Sequence, residues 1–600
     1  MRIALIGAGP RGLLVLERLI AWHREQPLTP LTITLFDPYP IGGRVWRRDQ
    51  PAQLVTNTIA QHLTLFYDQT VADPGPLWPG PDMAQWAQGP AAEYLRETDA
   101  PAALQAAAAA LGPNDFPPRA LFGEYQRWTF TELQRRAAAN VTITHRRTLV
   151  SAVTPQATGF TVTAERPAHY DAVVMALGTS PNTPTREQND LLRFADTHAA
   201  LYWPPSFPAE GDLETLTADD VVILRGLGLS FFDFMSRFTE GRGGHFTRTA
   251  TGLTYHPSGR EPRLVAGSRR GLPYHAKGRN QKAPGELTPA HFLTPPQLTR
   301  WATAGPLAGL TFWQALQHEV EHTYYSKVLA ERVDADALAQ FQAAHLRDPE
   351  QAVAELTLPA ALRLDWASLL TPPAGTPTAA IKAYLRADIA AAQAGTTTGP
   401  LTSALEVLRD LRDRVRAVIE QGLLSDEELL DFFFRWFNGT NDFLSIGPPV
   451  FRLEQLLALI EAGVITILPP GIDVTAAHGY FLATAPGAPV YRGTALIEAR
   501  VPAANAPTAQ NPLLAQLLHA DLATLAELQL PGDRRFQTGA VLVDRQTQQL
   551  LNAAHQPQGK LFFWGVPTEG VNWLTTASPR PFVNDVNLRF ANRIARQCLA

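Results

Sequence analysis

Cysteine is almost missing from this chain: among 600 residues there is one, Cys598, close to the C-terminus. A lone thiol excludes a disulfide framework and a Cys-x-x-Cys redox pair. The 15 histidines form no His-Glu-x-x-His pattern and no Cys/His cluster at ligand spacing, so no metal site is expected. An excess of one charge is missing too: Lys plus Arg total 51, Asp plus Glu 56, and the formal net charge is -5. With no overall basic field, neither nucleic acid nor an acidic membrane is an expected partner, and any anion site must be local. No apolar run approaches the ~20 residues that cross a bilayer. The apolar start is interrupted by Gly7, Gly9, Pro10, Arg11 and Glu17, with no small-residue cleavage site after it. No signal peptide is expected, and the expected location is the cytoplasm.

What the chain has is hydrophobic residue, 45% of the total, over a length that carries several domains. RIALI at 2–6 suits a buried parallel strand, and RGLLVLERLIAW at 11–22 spaces Leu13, Leu14, Leu16 and Leu19 as one helix does. Between them stand Gly7, Gly9 and Gly12, with Pro10 and Arg11 at the start of the helix. The first glycine permits a tight turn, the second lets backbone approach a pyrophosphate, and the third lets helix and strand pack closely. LTITLFD at 31–37 adds a second strand ending in Asp37, an acid placed to bind ribose hydroxyls. Strand, loop, helix, strand and acid in register point to a bound dinucleotide, against the simpler reading of a strand-to-helix turn.

A second such unit begins in mid-chain. RGLGLS at 225–230 follows the apolar VVIL and precedes the amphipathic FFDFMSRF. The order of helix, strand, meander and exit strand read from 122 to 184 recurs from 451 to 507, with Arg500 near the place of Gly178. The repeat makes Gly226, Gly228 and Ser230 a second phosphate loop, although Phe231 takes the third glycine position. The matching second strand, RLVAGSRRG at 263–271, offers Ser268, Arg269 and Arg270 where the first unit has Asp37. A carboxylate would repel a ribose 2′-phosphate, whereas guanidinium groups and a hydroxyl pair with it, so NADPH is expected over NADH.

The expected fold is α/β: two Rossmann-like dinucleotide-binding domains with an α-helical insertion. The domain plan is 1–205 and 506–600 for the first domain, 206–290 and 446–505 for the second, and 291–445 for the insert. The helical patterns of the insert read as a cap or a subunit interface, which leaves a homo-oligomer open. Its aromatics, Phe432 to Phe434, Trp436 and Phe437, read as its core.

IGGRVW at 41–46 and QLVTNT at 53–58 follow Asp37 closely, and YDAVVMALGTSPNTP at 170–184 leaves the first domain. Here the chain resembles the two-dinucleotide flavoproteins. The resemblance implies FAD in the first domain, with Gly42, Gly43 and Arg44 bordering its phosphates, Trp46, Asn57 and Thr58 near the flavin, and Gly178 in the second fingerprint. It also implies that the final strand, turn and helix at 560–597 point a helix N-terminus at the flavin pyrimidine, with Gly565, Thr568, Glu569, Gly570 and Trp573 carried over.

FPPRALFGEY at 116–125, RGLGLSFFDF, TEGRGG at 239–244, PSGREPRLVAGSRRGLPYHAKG at 257–278 and VPTEGVNW at 566–573 together resemble the bacterial FAD-NAD(P)-binding family. That family includes nitrosuccinate synthases, flavin enzymes that N-oxygenate aspartate. The resemblance implies an oxidoreductase that moves a hydride from NADPH to FAD. Disulfide reductases need a cysteine pair, which Cys598 alone cannot supply. The leading expectation is a monooxygenase that uses dioxygen, through a flavin C4a-hydroperoxide, to oxygenate the nitrogen of an amino acid or amine. The alternatives are an NAD(P)H oxidase or electron-transfer reductase, and a non-catalytic flavin-binding regulator. Gln61 and His62, beyond Asn57 and Thr58, and Tyr274, His275 and Lys277, beyond the arginines of the second unit, are the active-site candidates, with Gln61, His62 and Lys277 the catalytic ones.

Overall fold

The computed structural model describes residues 1–25, 29–250 and 252–600. It divides into two compact units, one formed by Met1–Thr183 and Pro502–Ala600, the other by Pro184–Val501.

The first unit is built on a six-stranded sheet in the order Gln549–Leu551, Pro557–Phe563, Ala172–Met175, Arg2–Ile6, Leu31–Phe36, Val141–Arg146. All pairs are parallel except the edge strand Gln549–Leu551, which runs antiparallel. Apart from the exposed Arg2 at one end, the central strands Arg2–Ile6 and Ala172–Met175 are apolar, as strands covered on both faces must be. Helix Pro10–Glu25 buries Leu13, Leu14, Leu16 and Leu19 completely. Each such leucine stabilises the fold by about 1.5–3 kcal/mol through lost apolar surface. The antiparallel meander Ala152–Pro155, Phe160–Thr163, Pro167–Tyr170 lies in the chain between edge strand Val141–Arg146 and the return strand Ala172–Met175.

The second unit repeats this plan. Its five-stranded sheet is parallel throughout, in the order Ile465–Ile467, Arg263–Gly267, Val221–Arg225, Ala495–Glu498, Leu201–Trp203. It has its own meander, Asp473–Ala477, Tyr480–Thr484, Tyr491–Gly493. The repeat extends to single hydrogen bonds. Gly7 donates its N–H to Phe36 at 2.8 Å and Gly226 to Gly267 at 2.9 Å; Ala176 donates to Ile6 at 2.8 Å and Ala499 to Arg225 at 3.0 Å.

Three sequence expectations change. The boundary at 205 moves to Thr183, because Leu201–Trp203 pairs with Ala495–Glu498 in the second unit. In the helical insertion Phe433 and Phe437 are buried, but Trp436 is 39% exposed, since Leu429–Phe437 winds as a π-helix and turns it outward. At the C-terminus, strand Pro557–Phe563 leads into a short 3-10 turn, Val566–Thr568, and the long helix starts only at Val586. Its first N–H groups are taken by Asp585, which caps Asn587 and Leu588, so this helix end has its own anion already.

Candidate functional site

In the first unit the phosphate loop, the acid and the second glycine pair converge. Gly7 has a positive φ of +111°, and a Cβ on Gly12 would lie 2.0 Å from the Gly7 carbonyl oxygen, so only glycine lets the helix start this close to the strand. Gly42 donates its N–H to Ala8 at 2.9 Å, and Cβ positions on Gly9 and Gly43 face Gly42 and Gly9 respectively at 3.7 Å. Asp37 accepts N–H groups from Ala8 and Tyr39, both at 2.9 Å. Burial pushes its carboxyl up, and the two N–H donors offset this in part. Each oxygen keeps a lone pair for a hydroxyl.

Arg11 is the polar group this cradle leaves unsatisfied. Its Nε and Nη2 are buried and make no hydrogen bond among the described residues, and burial pulls the guanidinium down to about 10 against the opposing charges of Glu569 and Asp585. A buried cation with free donors beside a glycine-lined helix start fits the pyrophosphate of a dinucleotide. At Gly178 a Cβ would meet nothing within 4 Å, so the protein itself gives no reason for the missing side chain.

The other candidates of this unit are partly committed to the protein. Trp46 packs edge-on against Phe122 at 4.8 Å. Arg44 is half-buried. Thr56 reaches over Asn57 to bond the Thr58 carbonyl at 2.7 Å. Thr568 donates its hydroxyl to Gly565 at 2.8 Å, and Glu569 accepts the N–H groups of Leu574 and Thr575, fixing the turn that carries Gly570 and Trp573. The 3-10 turn Ala60–His62 carries Gln61, whose amide donates to Asn114 at 2.7 Å, and His62, whose Nε2 lies 3.5 Å from Arg580.

In the second unit Gly226 has φ +132°, and a Cβ there would lie 2.9 Å from the Ala499 carbonyl oxygen, the counterpart of the Gly7 approach to Ala176. Phe231 is fully buried and Ser230 nearly so. With phenylalanine where the first unit has Gly12, this helix cannot press on its strand as the first one does. The strand end at Ser268 is a closed turn: Gly271 donates to the Ser268 hydroxyl at 3.0 Å, and Gly471 donates to the carbonyls of Ser268 and Arg269 at 3.2 and 3.1 Å. The Arg269 side chain is exposed and has no hydrogen bond or ion pair among the described residues. Arg270 stands over the Phe443 ring at 4.2 Å and donates to the Leu370 carbonyl at 3.4 Å. The two arginines therefore differ: one reaches solvent, the other grips the helical insertion.

Beyond them, His275 is a strut. Its Nδ1 meets Asp388 at 2.6 Å and its Nε2 meets the Leu369 carbonyl at 3.1 Å. Burial opposes charge on the ring, but the carboxylate and the carbonyl outweigh it and raise its pKa. Both ring nitrogens face acceptors, which is the arrangement of an imidazolium.

Lys277 lines a small cavity with Thr402, Arg409 and Ser445. The cavity is about 10 Å³, room for one water or one carboxylate oxygen and not for a whole amino acid. Arg409 pairs with Glu406, while its neighbour Arg412 has no hydrogen bond or ion pair among the described residues. Burial draws Arg412 down to about 9, with Arg409 and Arg416 adding repulsion. Unsatisfied buried atoms gather here: Ser403 Oγ, Arg409 Nε, Asp410 Oδ1, Arg412 Nε and Asn441 Nδ2. Glu406 and Asp442 oppose that repulsion, so Arg412 is a half-buried cation in a mixed field of arginines and carboxylates. Lys277 stands out in the sequence, whereas the helical spacing of the two arginines reads as a solvated face.

A family model described as FAD-NAD(P)-binding matches residues 4–180. The chain is 39% identical to an L-aspartate N-monooxygenase (nitrosuccinate-forming) from Streptomyces davaonensis, over 100% of this chain and 97% of the relative. It is 38% identical to an enzyme of the same name from Streptomyces cremeus, over 99% and 94%. It is 36% identical to nitrosuccinic acid synthase npaA from Aspergillus oryzae, over 100% and 92%. Among the described residues no helix is long and apolar enough to cross a membrane. With two glycine-loop units in register and full-length relatives at this identity, the chain belongs to the FAD- and NAD(P)-dependent flavoprotein family that contains these nitrosuccinate-forming monooxygenases.

Proposed function

We propose that this protein is an N-monooxygenase for a small amino dicarboxylate, L-aspartate in the first instance, with FAD in the first unit, NADPH in the second, and dioxygen as oxidant. The observation that carries the reading is the cavity lined by Lys277 and Arg409, with the half-buried Arg412 close to Arg409 and without a hydrogen bond or ion pair among the described residues. Relatives named for aspartate over their whole length support it.

FAD, when bound, supplies the two-electron chemistry that lets electrons from NADPH reach dioxygen. The chain's own part is to hold and orient. In the first unit the Gly7–Gly12 loop, Arg11 and the Gly42–Gly43 turn take the pyrophosphate, and Asp37 takes ribose hydroxyls. In the second, Gly226, Gly228 and the strand-end Ser268–Arg269 take the NADPH phosphates. Lys277 and Arg409, with Arg412 adding charge beside Arg409, hold one oxygen of a substrate carboxylate at the cavity. Each charge-assisted hydrogen bond there contributes about 1.5–3 kcal/mol, enough to separate a dicarboxylate from a diamine. The amine is left for oxygenation.

An amino-acid panel tests this, scored for NADPH consumed against N-oxidised product. Aspartate should couple the two nearly one to one, ahead of asparagine and far ahead of lysine or ornithine. A preference for the diamino acids, or peroxide release equal to NADPH consumed with every amino acid, would overturn it.

A further inference from the structure

The two units close over their second glycine in different ways. In the first unit the chain leaves the second strand at Asp37 and folds back so that the Gly42 carbonyl oxygen lies 3.7 Å from a Cβ built on Gly9. In the second unit the chain leaves the equivalent strand at Ser268 and folds back in the same sense, and here a side chain arrives instead of backbone. A Cβ on Gly228 would lie 3.4 Å from Tyr274 Cζ and 3.5 Å from its hydroxyl oxygen. The equivalence of the two strand ends rests on hydrogen bonds, since Gly7 bonds the residue before Asp37 and Gly226 the residue before Ser268.

Tyr274 is held there from behind. Its ring meets Phe443 edge-on at 6.1 Å, the preceding Pro273 carbonyl accepts the Tyr384 hydroxyl at 2.9 Å, and the following His275 is locked to Asp388. Its hydroxyl, in contrast, has no hydrogen-bond partner among the described residues. Burial, with the charge of Asp442 adding to it and Arg270 and Arg269 opposing, pushes the phenol up to about 12, so it keeps its proton and donates. Beside it are groups suited to phosphate: the start of helix Leu229–Phe238, which no side chain caps, and those two arginines. A tyrosine hydroxyl fixed by its ring and left without a partner is a hydrogen-bond donor prepared for a ligand.

We propose that Tyr274 is a binding residue for the second nucleotide, its hydroxyl donating to the pyrophosphate at the place where the first unit uses the Gly42–Gly43 backbone. It answers the lack of a third glycine: with Phe231 there the helix cannot press on its strand as the first one does, and a side chain reaches in to meet the phosphates. This rests on the assignment of NADPH to the second unit. Because the pyrophosphate is common to NADPH and NADH, the residue acts on both nucleotides alike, unlike Arg269, which meets only the 2′-phosphate.

The test is the affinity of the FAD-loaded enzyme for NADP⁺ and NAD⁺ by calorimetry, with Tm and flavin content measured alongside. Tyr274→Phe keeps the ring and its packing, so Tm and flavin content should stay at wild-type values while both affinities fall about tenfold. Arg269→Ala should weaken NADP⁺ alone. Unchanged affinities in Tyr274→Phe would overturn the proposal, as would tighter binding in Tyr274→Ala, which would make the ring a plug. A wild-type enzyme that binds neither nucleotide would instead strike the parent assignment.

Discussion

Gly12 sits directly beneath Gly7, so close that a Cβ on the one would come within 2.0 Å of the carbonyl oxygen of the other. That contact is between helix and strand backbone, which cannot yield without moving the helix start that faces the first nucleotide. Gly12→Ala should therefore give protein that folds yet loses most of its flavin, read as the ratio of flavin to protein absorbance. The equivalent residue of the second unit has the opposite requirement. Phe231 is fully buried, and Phe231→Ala should cost about 3–5 kcal/mol in chemical denaturation with no gain in NADPH affinity.

Arg412 is a half-buried cation with no partner among the described residues, so removing it should cost no stability. Arg412→Ala is expected to keep or raise Tm while KM for aspartate rises by about 10- to 100-fold. Reduction of the flavin by NADPH should proceed as before. A fall in Tm with unchanged KM would make the residue structural.

The adjacent arginines should separate when changed singly. Arg269→Ala is expected to raise KM for NADPH about tenfold or more and leave NADH untouched, since its side chain reaches solvent. Arg270→Ala removes the stack on Phe443 and the bond to Leu370, and should lower Tm and weaken both nucleotides together. Steady-state kinetics with each nucleotide and a thermal melt check both.

Acid should loosen the helical insertion over a defined range. His322 and His345 stand with their Nδ1 atoms 3.4 Å apart, His291 and His318 lie close by, and Phe292 packs among them. Burial holds His322 at about 4, with His291 repelling, and His345 at about 3, with His322, His318 and His291 repelling. Glu319, which faces this cluster, has its carboxylate engaged by the N–H groups of His291, Phe292 and Leu293, and Glu350 acts on His318. The unfolded chain takes up protons near pH 6.5 and the folded one does not, so stability should fall as pH drops from about 6.5 to about 3. Urea midpoints against pH should show that slope, and His345→Phe should flatten it.

Much of this molecule is legible in its amino-acid order. The glycine loops, Asp37 and the strand before each are local patterns in which spacing alone carries the geometry, and the second unit shows in the order of its elements. What escapes is set by distant partners. Leu201–Trp203 is a three-residue strand whose mate, Ala495–Glu498, comes nearly three hundred residues later, so no local signal marks the unit boundary. Arg409 and Arg412 lie on amphipathic helical turns where arginine is ordinary, and their half-burial is set by the fold and not by any local pattern. Tyr274 and His275 look alike in sequence as candidates, yet His275 is a satisfied strut and the Tyr274 hydroxyl, beside a glycine loop, has no partner among the described residues.

If the chain holds two dinucleotides and passes electrons from one to the other, anaerobic mixing of the purified enzyme with NADPH shows it. The protein should arrive yellow, and its flavin absorbance should bleach in a single turnover that saturates with NADPH. Colourless protein that takes up no added FAD, or a bound flavin left oxidised after NADPH addition, would contradict the account.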